Sequence, residues 1–296
     1  MPKRPSRKKP RVTIIGPGRL GTALAIALSD RGYPIAALVG RNSSRVRKAA
    51  ALLDVPLQPL VTKDIQHHTV SDLIILTTPD DQITAVAQSL LKACGESTVL
   101  HSSGALSSEV LHPLADKGWE VGSIHPLLSV SDPEVGADAF KGSFWCVEGS
   151  RKAVQVARRL VRDLGGHSFS IRTTAKPLYH AAAVMASGNV VALFDVAIAM
   201  LTNCGLTSGE ARRVLLPLLE STLMNLRLRV PAKALTGTFA RGDLATVEKH
   251  LAALSTGDLA DARALYNLLG RRSLALAQEN GLDPSVVKRI VAKLKQ

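Results

Sequence analysis

Two kinds of apolar pattern run along this chain, and the change between them divides it. In the first part the apolar residues fall in short runs rich in Val, Ile and Leu at 12–15, 34–39, 72–76, 98–101, 121–124, 143–147 and 168–171. Runs of that length bounded by turn residues read as strands, and the most continuous of them as strands buried on both faces. Helices are predicted between them, from residue 22 with Ala23, Ala25 and Ala27, from about 83, and over 153–164. Strands alternating with helices predict a doubly wound α/β sheet with right-handed crossovers. From residue 174 the spacing becomes helical throughout, over 177–203, 208–228, 243–254, 258–279 and 284–295. Pro177 suits a first helical turn, Gly205 a helix end, and Asp243 and Asp283 are placed as N-caps, with Pro284 entering the last helix. The expected organisation is therefore an α/β domain over 11–173 and an all-helical domain over 174–296, with no internal repeat.

The first strand runs straight into Gly16-Pro17-Gly18-Arg19-Leu20-Gly21 and then a helix. That is G-x-G-x-x-G in its required context of strand, turn and helix, the fingerprint of a Rossmann dinucleotide-binding domain. Gly16 permits the tight turn, Gly18 lets the backbone approach a pyrophosphate, and Gly21 lets helix and strand pack closely. The unpaired N–H groups of the helix start, aided by its dipole, would face the phosphates. An NAD site tends to place an acid at the end of the second strand, for the ribose 2′-hydroxyl. This chain has Gly40-Arg41-Asn42-Ser43-Ser44-Arg45 there, with no acid. A guanidinium fork binds a 2′-phosphate bidentately, so the cofactor read from these residues is NADP, although Arg41 and Arg45 could also be plain solvated residues. Ligands in such sheets lie beyond the carboxyl ends of the strands. That rule adds Thr77, Thr78, Pro79, His101, Ser102, Ser103, Gly104 and His125 to the expected cleft, the first five for cofactor and the last four, with Ser102 again, for substrate.

Six of the net +13 charges come from one end, where Lys3, Arg4, Arg7, Lys8, Lys9 and Arg11 stand among three prolines with no acid. Residues 1–10 are expected to be a disordered basic arm, solvated in preference to touching nucleic acid. Cys94, Cys146 and Cys204 are odd in number and widely spaced, which argues for a reducing compartment such as the cytoplasm and against disulfide or zinc frameworks; no metal is expected. The longest apolar stretch, 181–201, reaches membrane-span length but contains Ser187, Asn189 and Asp195. An Asp near a bilayer centre would cost about 3 kcal/mol, so a buried helix of a soluble protein is expected and no membrane.

Candidate chemistry collects where the pattern changes. Lys176 and His180 are four apart and share a helix face. A lysine there can polarise a carbonyl, and a histidine can act as acid, base or clamp; equally, they could be an exposed lysine and a capping histidine. His101 and Ser102 end a strand at its carboxyl end, where a nicotinamide would lie, or form a local turn. Asn189 on an apolar helix must find a partner if buried, either a substrate or another helix. The loop 234–243, with Arg241 and two glycines, has the composition of a functional loop or of a helix cap.

These stretches together resemble the 6-phosphogluconate dehydrogenase-like superfamily. The narrower likeness is to bacterial Rossmann-like proteins carrying a C-terminal helical domain of unknown function, described as NADP-dependent oxidoreductases. It rests on 16–21, His101-Ser102-Ser103-Gly104, His125-Pro126, Lys176 with Tyr179-His180-Ala181-Ala182, Asn189, and 234–243 followed by His250-Leu251. The resemblance implies hydride transfer to or from a small carbonyl, hydroxy-acid or imine substrate, with Lys176, His180 and His101 as catalytic candidates and Asn189 and Arg241 orienting substrate. A non-catalytic NADP(H)-binding or redox-sensing protein is the alternative. It also implies a homodimer in which the long helix packs against its partner. Two departures stand out. Many hydroxyacid dehydrogenases of the superfamily carry an asparagine four residues after the lysine, where this chain has His180. The loop also reads Thr236-Gly237-Thr238 where a proline is expected third.

Overall fold

A computed structural model describes residues 8–53, 59–61, 71–92, 97–256 and 259–295. Most of the expected basic arm (1–7), Cys94 and Asp258 lie outside the described residues. The chain divides into two compact units, 1–187 and 188–296.

The first unit is built on an eight-stranded sheet of β1 (Val12–Ile15), β2 (Ile35–Gly40), β3 (Pro59–Val61), β4 (Leu73–Leu76), β5 (Thr98–His101), β6 (Glu120–Pro126), β7 (Phe144–Gly149) and β8 (His167–Phe169), in the order 3-2-1-4-5-6-7-8. Strands β1 to β6 are parallel. The strand order reverses between β1 and β4, which makes that crevice the switch point where such sheets hold ligands. One expectation fails at the far side: β7 pairs antiparallel with β6, so the crossover rule stops there. The helices of this unit are α1 (Arg19–Asp30), α2 (Ser43–Ala50), α3 (Asp80–Leu90), α4 (His112–Ala115), α5 (Pro133–Ala139), α6 (Arg151–Asp163) and α7 (Lys176–Ala186).

Period-two side-chain alternation feeds a core on each face of the sheet. Val12, Ile14, Leu73, Ile75, Leu100 and Ile124 pack with Leu24 and Leu28 of α1 and Leu160 and Val161 of α6. Ile15, Ile74, Leu76, Val99 and Val121 pack with Ile83, Val86 and Leu90 of α3. Each fully buried Leu or Ile stabilises the unit by about 1.5–3 kcal/mol. The end of the expected arm is ordered by the same body: the Lys9 ammonium donates to the Arg31 carbonyl and lies 4.9 Å from the Tyr33 ring centroid. Residues 8–10 are thus not part of a free arm.

The strands stop near residue 173, yet α7 is anchored in the first unit by the buried Lys176, so the compact units divide only at Ser187. The single helix expected over 177–203 is interrupted there: Ser187 leaves helical geometry (φ −127°, ψ −81°) and its hydroxyl donates to the Ala183 carbonyl at 2.8 Å. The second unit contains α8 (Gly188–Asn203), α9 (Ser208–Leu228), α10 (Pro231–Ala234), α11 (Leu244–Ala253), α12 (Ala260–Glu279) and α13 (Pro284–Lys293) and, among the described residues, no strand. Val247, Leu274, Ile290 and Leu294 form its core. Asp243 and Asp283 cap α11 and α13, accepting from Thr246 N–H (3.0 Å) and Ser285 N–H (2.7 Å). Thr207 and Glu210 form a reciprocal capping box at the start of α9. The stretch Thr173–Asn203 contains an 18-residue window with a mean hydropathy of 1.9, long and apolar enough to cross a membrane. It is not the buried helix the sequence suggests, since none of that apolar window is buried within the single chain.

Candidate functional site

The glycine turn has the geometry its spacing implies. Gly16 has φ +98°, and a Cβ on it would lie 2.8 Å from the Thr77 carbonyl carbon and the Thr78 nitrogen. A Cβ on Gly21 would lie 2.4 Å from Thr77 Oγ1 and 2.5 Å from the Gly16 carbonyl oxygen. Gly18 is open, its would-be Cβ meeting nothing closer than 4.0 Å. It is the N-cap of α1, and no side chain caps that helix start, so the first N–H groups, those of Arg19, Leu20 and Gly21 among them, have no side-chain partner. Thr77 ties the turn to β4, its hydroxyl donating to the Gly16 carbonyl at 2.7 Å.

Beside this turn opens a cleft of about 1030 Å³, bordered by Gly16, Pro17, Gly18, Gly40, Arg41, Asn42, Arg45, Thr77, Thr78 and Pro79. Among the described residues that line it there is no carboxylate, and Arg41 and Arg45 are exposed at its rim. Asn42 also caps α2, accepting the Arg45 N–H at 3.1 Å, and Ser43 opens that helix. The Thr78 hydroxyl is buried without a hydrogen-bond partner, a donor left for a ligand. Gln82, Ala85, Val86 and Ser89 on α3 line the same cleft. They were not singled out in the sequence, although their spacing marks one face of a helix that follows a switch-point strand.

The second cluster forms where β5 and β6 end under α7. Lys176 is fully buried, and its ammonium donates to the Ser103 carbonyl (2.8 Å) and the Ser123 hydroxyl (3.0 Å). Burial pulls its pKa down, opposed by the Cys146 thiol and the Glu148 and Asp80 carboxylates. In this placement the ammonium of Lys176, a residue expected to be catalytic, holds the 102–104 turn. His101, expected as both a catalytic and a cofactor-binding residue, lies beside it. It is fully enclosed, Nδ1 accepts from Ser103 N–H (3.2 Å), and burial, then the Lys176 charge, lowers its pKa to about 4. Ser103, expected at substrate, is buried; its hydroxyl donates to Asp80 (2.8 Å) and accepts from the Ala105 and Leu106 N–H groups. Ser102 is half-buried, and its N–H continues the ladder to the Leu76 carbonyl at 2.9 Å.

His125 and His180 are half-buried and come together at Gly104. A Cβ on Gly104 would lie 2.3 Å from His180 Nδ1 and 2.8 Å from His125 Nε2. The two rings stand edge to face, centroids 5.5 Å apart, and His180 Nδ1 has no hydrogen-bond partner. His125 Nδ1 is 2.7 Å from the Tyr179 hydroxyl, a residue noted only for its resemblance. Asn189 and Arg241 belong to the second unit, where both are exposed; burial therefore does not force a partner on Asn189. Among the described residues, no group of His, Cys, Asp and Glu could hold a metal ion.

Fold and glycine turn define a class, a Rossmann-type domain followed by a helical domain. Residues 3–126 match the Rossmann-like domain family and residues 143–273 a domain of unknown function, DUF2520. The chain thus carries a match to each of these two domains in succession. A solved protein of Thermotoga maritima is 24% identical, with a TM-score of 0.71 over 91% of this chain and 99% of its own. One from Bacteroides fragilis is 22% identical, with a TM-score of 0.74 over 90% and 98%. A reductive aminase of Aspergillus terreus, solved with NADPH, is 16% identical, with a TM-score of 0.57 over 97% and 93%. Among curated proteins, the glycerol-3-phosphate dehydrogenase [NAD(P)+] of Rhizobium etli is 25% identical over 171 residues, 54% of this chain. The match spans about half of that relative's length, 52%.

Proposed function

We propose that this chain is an NADP(H)-dependent oxidoreductase that transfers hydride to or from a small carbonyl, hydroxy-acid or imine compound. The observation that carries the reading is the cleft in which the open Gly18 turn and the Arg41 and Arg45 side chains border one space, with no carboxylate among its described lining residues. The turn would hold the pyrophosphate on the free N–H groups of α1, and Arg41 and Arg45 the 2′-phosphate. The bound nicotinamide would supply the hydride chemistry. His180 is the proton-handling residue of this proposal, because it is half-exposed and one ring nitrogen is uncommitted; Lys176 is a positioning residue that holds the 102–104 turn. The NADPH-bound fold relative and the NAD(P)+-dependent curated relative support the cofactor class.

The complete burial of Lys176 favours one second reading, a non-catalytic NADP(H)-binding or redox-sensing protein. The exposed apolar residues of the helical unit, Val214, Leu218, Leu223, Met224, Leu226 and Leu228 on α9 among them, support a homodimer through that unit, and the odd, dispersed cysteines support a cytoplasmic protein.

The test is to follow NADPH oxidation with panels of 2-oxo acids, ketones and preformed imines. Turnover of one class, with a roughly hundredfold or greater loss of kcat in His180→Asn at unchanged NADPH affinity, is the expected result. NADPH binding without turnover of any class leaves the non-catalytic reading standing.

A further inference from the structure

Helix α6 separates its side chains by face. Ala153, Ala157, Leu160 and Val161 are buried, while Arg151, Gln155, Arg158 and Arg162 are exposed. Those four stand at i, i+4, i+7 and i+11, so they form one line along the helix, about 16 Å long at 1.5 Å per residue. Among the described residues, none of the three guanidinium groups is in an ion pair; Arg158 donates to the Ser170 hydroxyl at 3.2 Å. The helix macrodipole accounts for Arg162 in the last turn. It does not account for Arg151, because a cation is disfavoured at a helix start and α6 has no acid in its first turn. Other elements extend the line at its far end. Arg31 donates to the Asp163 carbonyl at 2.8 Å. Tyr33 donates to the Asp163 carboxylate at 2.6 Å and carries the Lys9 ammonium against its ring. Burial raises the Tyr33 pKa, as does the Asp163 carboxylate, and the Arg159 and Arg162 charges oppose them, so both guanidinium groups lie near that hydroxyl. The carboxylates of this surface are Asp163, Asp30 next to Arg31 in the chain, and Glu120, which lies 4.0 Å from Lys152. None of its cations lines the nucleotide cleft.

We propose that the exposed arginine line of α6, with Arg31 and Lys9 at its end, is a docking surface for the phosphate backbone of duplex nucleic acid. This goes beyond the oxidoreductase reading and does not depend on it. Guanidinium groups match phosphate oxygens bidentately, and all three cations of the line are arginines. Phosphates follow one another every 3.4 Å of axis along one strand, so a line of about 16 Å runs past about five of them. A membrane surface would take up apolar side chains at the lipid boundary, and a protein partner would seat an aromatic or apolar anchor. The exposed residues of α6 are Arg151, Lys152, Gln155, Arg158 and Arg162, which offer neither. Contacts to the backbone alone position a duplex without reading its bases, so binding is insensitive to sequence. The expectation of a purely solvated basic head is reversed for Lys9, which the fold fixes beside this surface.

The test is fluorescence anisotropy of a labelled DNA duplex of about twenty base pairs, titrated with the full chain over a range of salt concentrations. The wild type should bind two unrelated duplex sequences equally, with an affinity that falls as salt rises. The triple variant Arg151→Gln, Arg158→Gln, Arg162→Gln should bind roughly tenfold or more weakly, with a slope of log K against log salt smaller by about 2–3. Arg151→Gln alone should lower that slope by about 1, and it serves where the triple variant does not fold. A control that removes as much charge from exposed positions of the helical unit, Arg272→Gln with Lys288→Gln and Arg289→Gln, should bind like the wild type. No duplex binding by the wild type at low salt overturns the inference. So does an equal loss in the control, which would mean diffuse net charge. Unchanged binding by the α6 variants, with loss on deletion of residues 1–7, overturns it as well, as does binding of phosphatidylserine vesicles in place of the duplex. NADPH titration of the same samples bears only on the cofactor reading, so the two claims fail separately.

Discussion

At the scale of single residues, the site is governed by what has no room to move. A methyl on Gly21 would meet the Gly16 carbonyl oxygen and Thr77 Oγ1 well inside contact distance. Gly21→Ala should therefore destabilise the protein by about 1–3 kcal/mol, lower Tm by several degrees and weaken NADPH binding, as calorimetry and titration would read. An unchanged Tm would mean that the turn yields more easily than its geometry implies. His101 gives a pH dependence with a definite sign. Its pKa is about 4 in the folded chain against an ordinary 6.5. Between those values the unfolded chain binds the proton and the folded chain does not, so this contribution is intact above 6.5 and is lost as the pH falls toward 4. The loss approaches about 3 kcal/mol, readable as a fall in the urea midpoint that His101→Asn flattens. His125, held near 4 by burial and the Lys176 charge, acts in the same direction. The sequence showed Lys176, His101 and Ser103 only as residue types of reactive kind at strand and helix ends. Nothing in spacing reveals that a lysine will be roofed over, because that depends on Ser123 of β6 and the Ser103 carbonyl meeting over it in three dimensions.

Elements were most legible where one local force decided them. The buried runs of β1, β4 and β5 and the Asp caps of α11 and α13 lie where alternation and capping chemistry place them. Pairing direction is not a local property, which is why the antiparallel β7 escaped notice, and β3 is too short for its period to register. The break at Ser187 was hidden because Ser-Gly inside an apolar helical pattern reads as tolerated. Helix α9 carries the clearest consequence at this scale. Its exposed Val214, Leu218 and Leu228 belong to an apolar surface that a second copy of the chain would cover. Sedimentation should show a dimer for the wild type and a monomer for Leu218→Glu paired with Leu228→Glu. A monomeric wild type at micromolar concentration would contradict the dimer.

For the whole molecule, composition and pattern were enough for a two-domain chain with a dinucleotide-type first domain, because a fingerprint in its strand-turn-helix context constrains a large part of the sheet at once. The cleft face of α3 was not found, since helix residues 82, 85, 86 and 89 acquire their role only when the strand order puts that helix beside the glycine turn. The central claim is that this cleft holds NADP(H) and that Arg41 is what distinguishes it from NAD(H). It is tested most directly by titrating wild type and Arg41→Ala with NADPH and NADH, following nucleotide fluorescence at several salt concentrations. The account predicts that NADPH binds at least about tenfold more tightly than NADH, that Arg41→Ala removes most of that difference, a loss of about 1–3 kcal/mol, and that NADH affinity is little changed. Equal affinities for the two nucleotides in the wild type, or no binding of either at millimolar concentration, would contradict it.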